Sequence, residues 1–392
     1  MGSTAGAAST TTNPGAKAYG RPGRARRVIL AAAVALVVIV AGYAVYGYEQ
    51  SPHGATTLVI YTYSSLLGGG CGAAGSNVSN ALAPFARAHD VTLEVECPEG
   101  TLANTLIAEK NAPVADLVIG LDEVSAPQAE AAGVLVPYTS PELANVSPAL
   151  VAEISPDHAV TPYEWGYLGI DYCPAFSNAT DGAVGSLTFP ELASNASWAR
   201  NLIVEDPTTD IVGEEFLLWE IQYYTQVLHQ PWQPFWSSLA SAPAPTSDSW
   251  DDAFAQFTCA PKAPQMVVSF LNDPAYSAYF GAPGALNSSA SYWNGTAYGW
   301  KTIYSVGIVQ GSHHLGLDRE FVDWFLQGSL QSQLPTTEWE FPANGTVAVP
   351  SVYHWAMDPA EVHALNDGVT PAQIGANIDT WLTEWQETEN AA

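Results

Sequence analysis

Beyond residue 50 the chain carries 38 acidic side chains against six basic ones (Arg87, Lys110, Arg200, Lys262, Lys301 and Arg319), a balance of 6 − 38 = −32. The other five bases (Lys17, Arg21, Arg24, Arg26 and Arg27) and one acid, Glu49, precede it, which gives −28 for the whole chain. Nucleic acid and anionic surfaces repel such a body, and a cationic ligand is favoured. Only 13% of residues are charged, fewer than a salt-adapted surface carries. Scarce Lys and Arg suit an acidic medium, where carboxylates protonate and each base adds to positive self-repulsion. The body is therefore expected to unfold no more readily near pH ~3 than near pH ~7.

Ahead of this body, residues 28–48 contain no charge. At ~1.5 Å per residue, such a run spans a ~30 Å bilayer core. The basic cluster before it places 1–27 in the cytoplasm and the rest outside, at the cell surface. A retained transmembrane anchor is expected over a cleaved signal peptide, whose apolar region is usually ~7–15 residues. Cys71, Cys97, Cys173 and Cys259 all fall outside the membrane, where disulfides form. Four cysteines allow three pairings; Cys71–Cys97 with Cys173–Cys259 keeps each bond inside one lobe and is the expected one. Asn77, Asn145, Asn178, Asn195, Asn287, Asn294 and Asn344 each open an Asn-X-Ser/Thr site, in keeping with an exported glycoprotein.

Periodicity gives an α/β body. Strands at 57–63, 91–96 and 115–120 alternate with helices at 77–89, 101–109 and 127–132, so a largely parallel sheet is expected. A buried strand at 164–171 crosses into a second region, with a strand at 201–206, a helix at 213–227, a helix at 249–257 and a strand at 265–270. The strand at 301–309 returns, and helices follow at 318–326 and 371–387. The expected organisation is one lobe of 57–163 plus 300–392, a second of 164–299, and a hinged cleft between them. Ligands in such sheets sit beyond the carboxyl ends of the strands.

No phosphate-binding loop, serine elbow or zinc-protease motif is present, and His313 and His314 are adjacent rather than at ligand spacing, so no catalytic residue, metal site or cofactor is expected. The strand ends instead carry aromatics and carboxylates without Lys or Arg, which suits an organic cation. Trp219 and Trp324, at helical spacing, are expected in the core.

The segments LVIYTY (58–63), ADLVIGLD (115–122), PYEWGYLGIDY (162–172), EDPTTDIVGEEFLLW (205–219), VVSFLNDPAY (267–276), LPTTEWEFP (334–342) and WLTEWQ (381–386) resemble, in order, the thiamine-binding periplasmic proteins of ABC importers. The resemblance implies a two-lobed periplasmic-binding-protein fold, thiamine as ligand, an importer permease as partner, and a monomer without enzymatic activity. It also implies cleft contacts at Tyr63, Glu99, Gly100, Trp250, Tyr276 and Trp339. Phe270 stands where the family has a Tyr, and Asp122 matches a family Asp. In the family's phosphate-proximal loop an Arg and a Ser become Thr208 and Asp210 here. That exchange favours unphosphorylated thiamine over its phosphate esters. A thiaminase-like transferase of the same fold, with Cys97 as nucleophile, and a binding protein for another small organic cation are the alternatives.

Overall fold

The structure, a computed structural model, describes residues 56–242 and 245–392. The expected tail and membrane span, 1–27 and 28–48, lie outside the described residues. Among the described residues no helix is long and apolar enough to cross a membrane.

The chain opens as a repeating strand–helix pattern. Strand β1 (Thr56–Tyr61) is followed by helix Asn77–His89, β2 (Val91–Glu96), helix Leu102–Ala108 and β3 (Leu117–Leu121). β1 pairs in parallel with both β2 and β3. After the short β4 (Leu135–Val136), the long β5 (Val160–Tyr172) carries the chain into its second half. There β6 (Leu202–Glu205), β7 (Thr246–Ser247), β8 (Met266–Phe270) and β9 (Asn287–Ser289) extend the sheet. A small sheet of β10 (Ser291–Trp293), β11 (Thr296–Gly299) and β14 (Val362–Ala364) flanks it, while β12 (Lys301–Val309) and β13 (Phe341–Pro342) return.

Among the described residues the main sheet runs β2-β1-β3-β12-β5-β8-β6-β7. It is mixed, not largely parallel as the sequence pattern implies. β5 and β12 are antiparallel to each other, β12 to β3, and β5 to β8. The cause is topological: a chain that leaves on β5 and returns on β12 must reverse direction between them. The small three-stranded sheet has no counterpart in the sequence reading, because its strands are too short to show a period.

Two hydrophobic cores flank the crossing strands. The first gathers Leu58, Ile60, Phe85, Ile119, Phe321 and Phe325; the second gathers Phe189, Phe216, Trp219, Trp236, Val267 and Trp385. β5 gives Tyr163 to the first and Ile170 to the second. Trp219 is fully buried, and Trp324 packs half-buried on the first core. Helix Pro371–Ala391 starts at a capping box between Thr370 and Gln373, which satisfies two backbone donors. Its stripe of Ile374, Ile378 and Trp385 packs into the second core, although sequence order groups 300–392 with the first lobe.

Both expected disulfides form, Cys71–Cys97 and Cys173–Cys259. One of the seven glycan sites is corrected by the fold: Asn344 is 2% exposed, and its amide donates to the Leu326 carbonyl at 2.9 Å, so no glycan fits there. The bonds close loops of unequal size, with sequence separations of 26 and 86. Chain-entropy reasoning gives about 3.5 kcal/mol for the shorter loop and about 4.6 kcal/mol for the longer. The double variant Cys173→Ser/Cys259→Ser is therefore expected to lose more stability in urea melts than Cys71→Ser/Cys97→Ser.

Candidate functional site

Between the two cores lies a cavity of about 720 Å³. Its floor is built around Tyr63, just past the end of β1. The Tyr63 ring fits because Gly120, at φ +108°, has no side chain: a Cβ there would overlap the ring. The Tyr63 hydroxyl donates to Glu338 at 2.9 Å and lies 2.9 Å from the Tyr163 hydroxyl and 3.3 Å from a Glu164 carboxyl oxygen. Glu338 also accepts from the Leu67 amide. Beside this group Glu340, 3% exposed, accepts from the Asn272 side chain at 2.9 Å. Its carboxylate sits where a side chain on Gly166 would be, so the glycine is required by close approach.

The aromatic wall comes from the second half of the chain. Trp250 stacks on Phe254 at 5.1 Å and lies 6.3 Å from Phe270. Its indole N–H donates to Ser269 Oγ at 3.0 Å, which in turn bonds Asp273, so the ring is held from behind. Near the mouth Tyr276 meets Trp339 edge-on at 5.1 Å. Trp339 has φ +63°, a left-handed conformation that is strained for an aromatic residue and of the kind that clusters at ligand sites.

Asp210 stands at the start of helix Ile211–Gln222. One carboxylate oxygen accepts from the amides of Val212 (2.9 Å) and Gly213 (3.4 Å), and the other accepts from the Trp250 amide at 3.0 Å. It therefore both caps the helix and fixes the backbone that carries Trp250. Across the cavity the Ser64 hydroxyl donates to Asp251 at 3.2 Å.

Of the residues expected from sequence, Tyr63, Gly100, Asp210, Trp250, Phe270, Tyr276 and Trp339 all line this cavity. Glu99 and Asp122 do not. Glu99 is an exposed turn residue after β2. Asp122 is fully buried, turned inward to accept from the amides of Val124 and Ser125. The sequence reading missed Glu164, Glu214, Asp273, Glu338, Glu340 and Asp379 as lining residues. Three left a signal: Glu338 and Glu340 flank Trp339 in LPTTEWEFP, and Asp273 follows the strand that ends at Phe270. Glu164, Glu214 and Asp379 lie within a strand or helices, with no local mark of a site.

Burial dominates the electrostatics. It pushes Glu338 up to about 7, against the bond from Tyr63 that lowers it. Burial, then the nearby charges of Glu338 and Glu340, holds Glu164 well above the carboxylate range. Burial, then Asp273, does the same for Glu340, and burial with Asp122 and Asp379 nearby does so for Glu214. Asp210 is raised by burial in spite of its backbone donors. Among the described residues, no Lys, Arg or His lines the cavity.

No family model matches the chain. It is 26% identical over 350 residues to the thiamine-binding periplasmic protein of Brucella suis, covering 88% of this chain and 95% of that protein. To the protein of the same name from Salmonella typhimurium it is 25% identical over 289 residues, covering 73% of this chain and 80% of the relative. This chain is a relative of the thiamine-binding periplasmic proteins. The fold agrees: a solved periplasmic thiamin binding protein superposes with a TM-score of 0.71 at 21% identity, over 86% of this chain and 98% of that one. A periplasmic binding protein from Actinobacillus pleuropneumoniae with fructose-6-phosphate bound superposes at 0.65 with 18% identity, over 84% and 99%. The periplasmic-binding-protein architecture is thus shared by proteins with unlike ligands, and the chemistry of the cavity has to be read from its own residues.

The buried acids link stability to pH. Glu164, Glu340 and, away from the cavity, Glu205 and Glu220 are all held above their ordinary range by burial. The folded state then binds more protons than the unfolded chain. Their stabilising contribution is complete below the ordinary carboxylate range and is lost as pH rises through the raised values, including about 7 for Glu338. Urea melts are expected to show higher stability near pH ~5 than near pH ~7.5. Glu220 has one oxygen bonded to Trp236 Nε1 at 3.2 Å and the other without a partner. Glu220→Gln is expected to stabilise the protein by roughly 1 kcal/mol near pH ~7.5 and to do little near pH ~4.

Proposed function

We propose that the cavity captures thiamine, as the unphosphorylated cation, and delivers it to an ABC importer. The observation that carries this reading is the lining itself: aromatic faces and carboxylates, with no base among the described residues. A thiazolium ring is attracted to Trp250, Tyr276 and Trp339 at roughly 0.5–2 kcal/mol per face, and Glu338 with Glu164 supplies counter-charge at the floor. Gly100 and Phe270 complete the surface against which the rings rest. Asp210 disfavours the phosphate esters. An anion is drawn to the bare N-terminus of a helix, and here that position is already filled by a carboxylate.

In this reading the two lobes, 57–163 with 300–392 and 164–299, close over the ligand by hinge motion about β5 and β12. The Ser64–Asp251 bond is a closing contact. The segment 28–48 anchors the protein at the cell surface as a monomer beside the permease, and the exposed Asn77, Asn145, Asn178, Asn195 and Asn294 carry glycans. The transferase alternative lacks its nucleophile, since Cys97 is bonded to Cys71.

Calorimetry on the full-length protein tests the assignment. Thiamine is expected to bind more tightly than thiamine diphosphate, and Trp250→Ala to weaken it by roughly tenfold. Tighter binding of the diphosphate would contradict the role given to Asp210. Because the cation favours ionised Glu338, binding should release protons and tighten as pH rises through about 7.

A further inference from the structure

Asp122 is expected in the cleft from sequence, yet it lies behind the cavity wall in a second carboxylate group. Asp122 and Glu123 follow β3, and Glu215 lies on helix Ile211–Gln222; they are 0%, 1% and 0% exposed. One oxygen from each of the three lies within 4.8 Å of the others. Their hydrogen bonds account for only part of them. Asp122 Oδ1 accepts from the amides of Val124 (3.1 Å) and Ser125 (2.7 Å) and from the Ser125 hydroxyl at 2.5 Å. Glu215 Oε1 accepts from the Thr302 hydroxyl at 2.6 Å. Asp122 Oδ2, Glu215 Oε2 and both oxygens of Glu123 have no partner.

Glu123 is the deciding residue. Neither oxygen has a partner in good hydrogen-bond geometry; the nearby amides of Glu123 itself and Ile303 offset only part of the burial, and a carboxylate left so dry is rare. The ion pairs among the described residues, His89–Glu320 and Lys301–Glu153, offer the group no base. Three dry acids that each carry a bare oxygen, with one oxygen from each within 4.8 Å of the others, are the donor set of a hard cation. Calcium takes oxygen ligands at about 2.3–2.6 Å, so donors on opposite sides of one ion lie about 4.6–5.2 Å apart. The three oxygens, none more than 4.8 Å from another, are close enough together to share one such ion.

We propose that Asp122, Glu123 and Glu215 hold one hard divalent cation of the calcium class at the junction of the two cores. β3 belongs to the first core, while Phe216 and Leu217, next to Glu215, belong to the second. Thr302, which bonds Glu215, is on the returning strand β12. The ion therefore ties the two cores together beside the hinge. Ser125 and Glu214, close in sequence to the cage, line the ligand cavity.

The test reads metal, not thiamine, so it is independent of the ligand assignment. The full-length protein, stripped with EDTA and exchanged into metal-free buffer near pH ~7.5, is titrated with calcium chloride. Bound metal is counted by mass spectrometry and Tm is followed. One calcium per chain is expected, with Tm rising by roughly 5 °C at about a hundredfold excess over Kd. Glu123→Gln and Glu215→Gln, each checked for unchanged far-UV circular dichroism, should lose both the ion and the shift. Absence of a bound ion and of any Tm response to calcium, magnesium or manganese in the wild type would overturn the proposal, with protons then holding the cage. A metal response that persists in both variants would overturn it equally.

Discussion

The structure depends on how a fold can bury carboxylates when it has almost no bases to set against them. Glu164, Asp171, Glu205, Glu215, Glu220 and Glu340 are all 3% exposed or less. In a base-rich protein such groups would take Lys or Arg partners or be replaced. Here each must be protonated, take neutral donors, or meet a cation from outside. The protein uses neutral donors at Glu338, which is served by Tyr63 and a backbone amide, and at Asp210, which is served by three amides. Where donors run out, the interior holds protons or an external positive charge. The cavity and the Asp122 cage are two outcomes of the same shortage, one an open carboxylate-lined space and one a closed carboxylate cluster.

The crossing strands give that chemistry its place. β5 puts Tyr163 and Glu164 at the seam between the cores, and β12 puts Thr302 and Tyr304 beside them. Tyr163 and Tyr304 pack in the first core, while Glu164 and Tyr304 also reach the cavity, so the strands carry the cavity's base at the edge of that core. The aromatic wall is carried by the second core and the Tyr63 floor by the first. A relative movement of the two would therefore change the distance between ring faces and counter-charges together.

Much of this was legible in the sequence. Helix 77–89 and strand 301–309 match the observed elements residue for residue, since each shows a clean period bounded by turn residues. The aromatic residues that line the cavity were singled out by the family resemblance more than by position: Phe270 closes a strand, whereas Trp250 opens a helix and Tyr276 lies within one. Asp122 and Glu99 show the limit of that resemblance. Both follow strands, but one backbone turns its carboxylate inward onto two amides and the other leaves it in solvent. The buried acids were the hardest to foresee. Glu123 and Glu215 are remote in sequence and meet only because helix Ile211–Gln222 packs beside the end of β3, so no local pattern records their meeting. The mixed direction of the sheet was likewise a property of the path between lobes, not of any one strand.

The central claim is that the cavity is built for an organic cation, and native mass spectrometry of the full-length protein tests it most directly. The spectrum of protein taken from cells supplied with thiamine should show one adduct per chain with the mass of unphosphorylated thiamine, and the adduct should be absent from Trp250→Ala protein. An anionic or phosphorylated solute retained in its place would contradict the account.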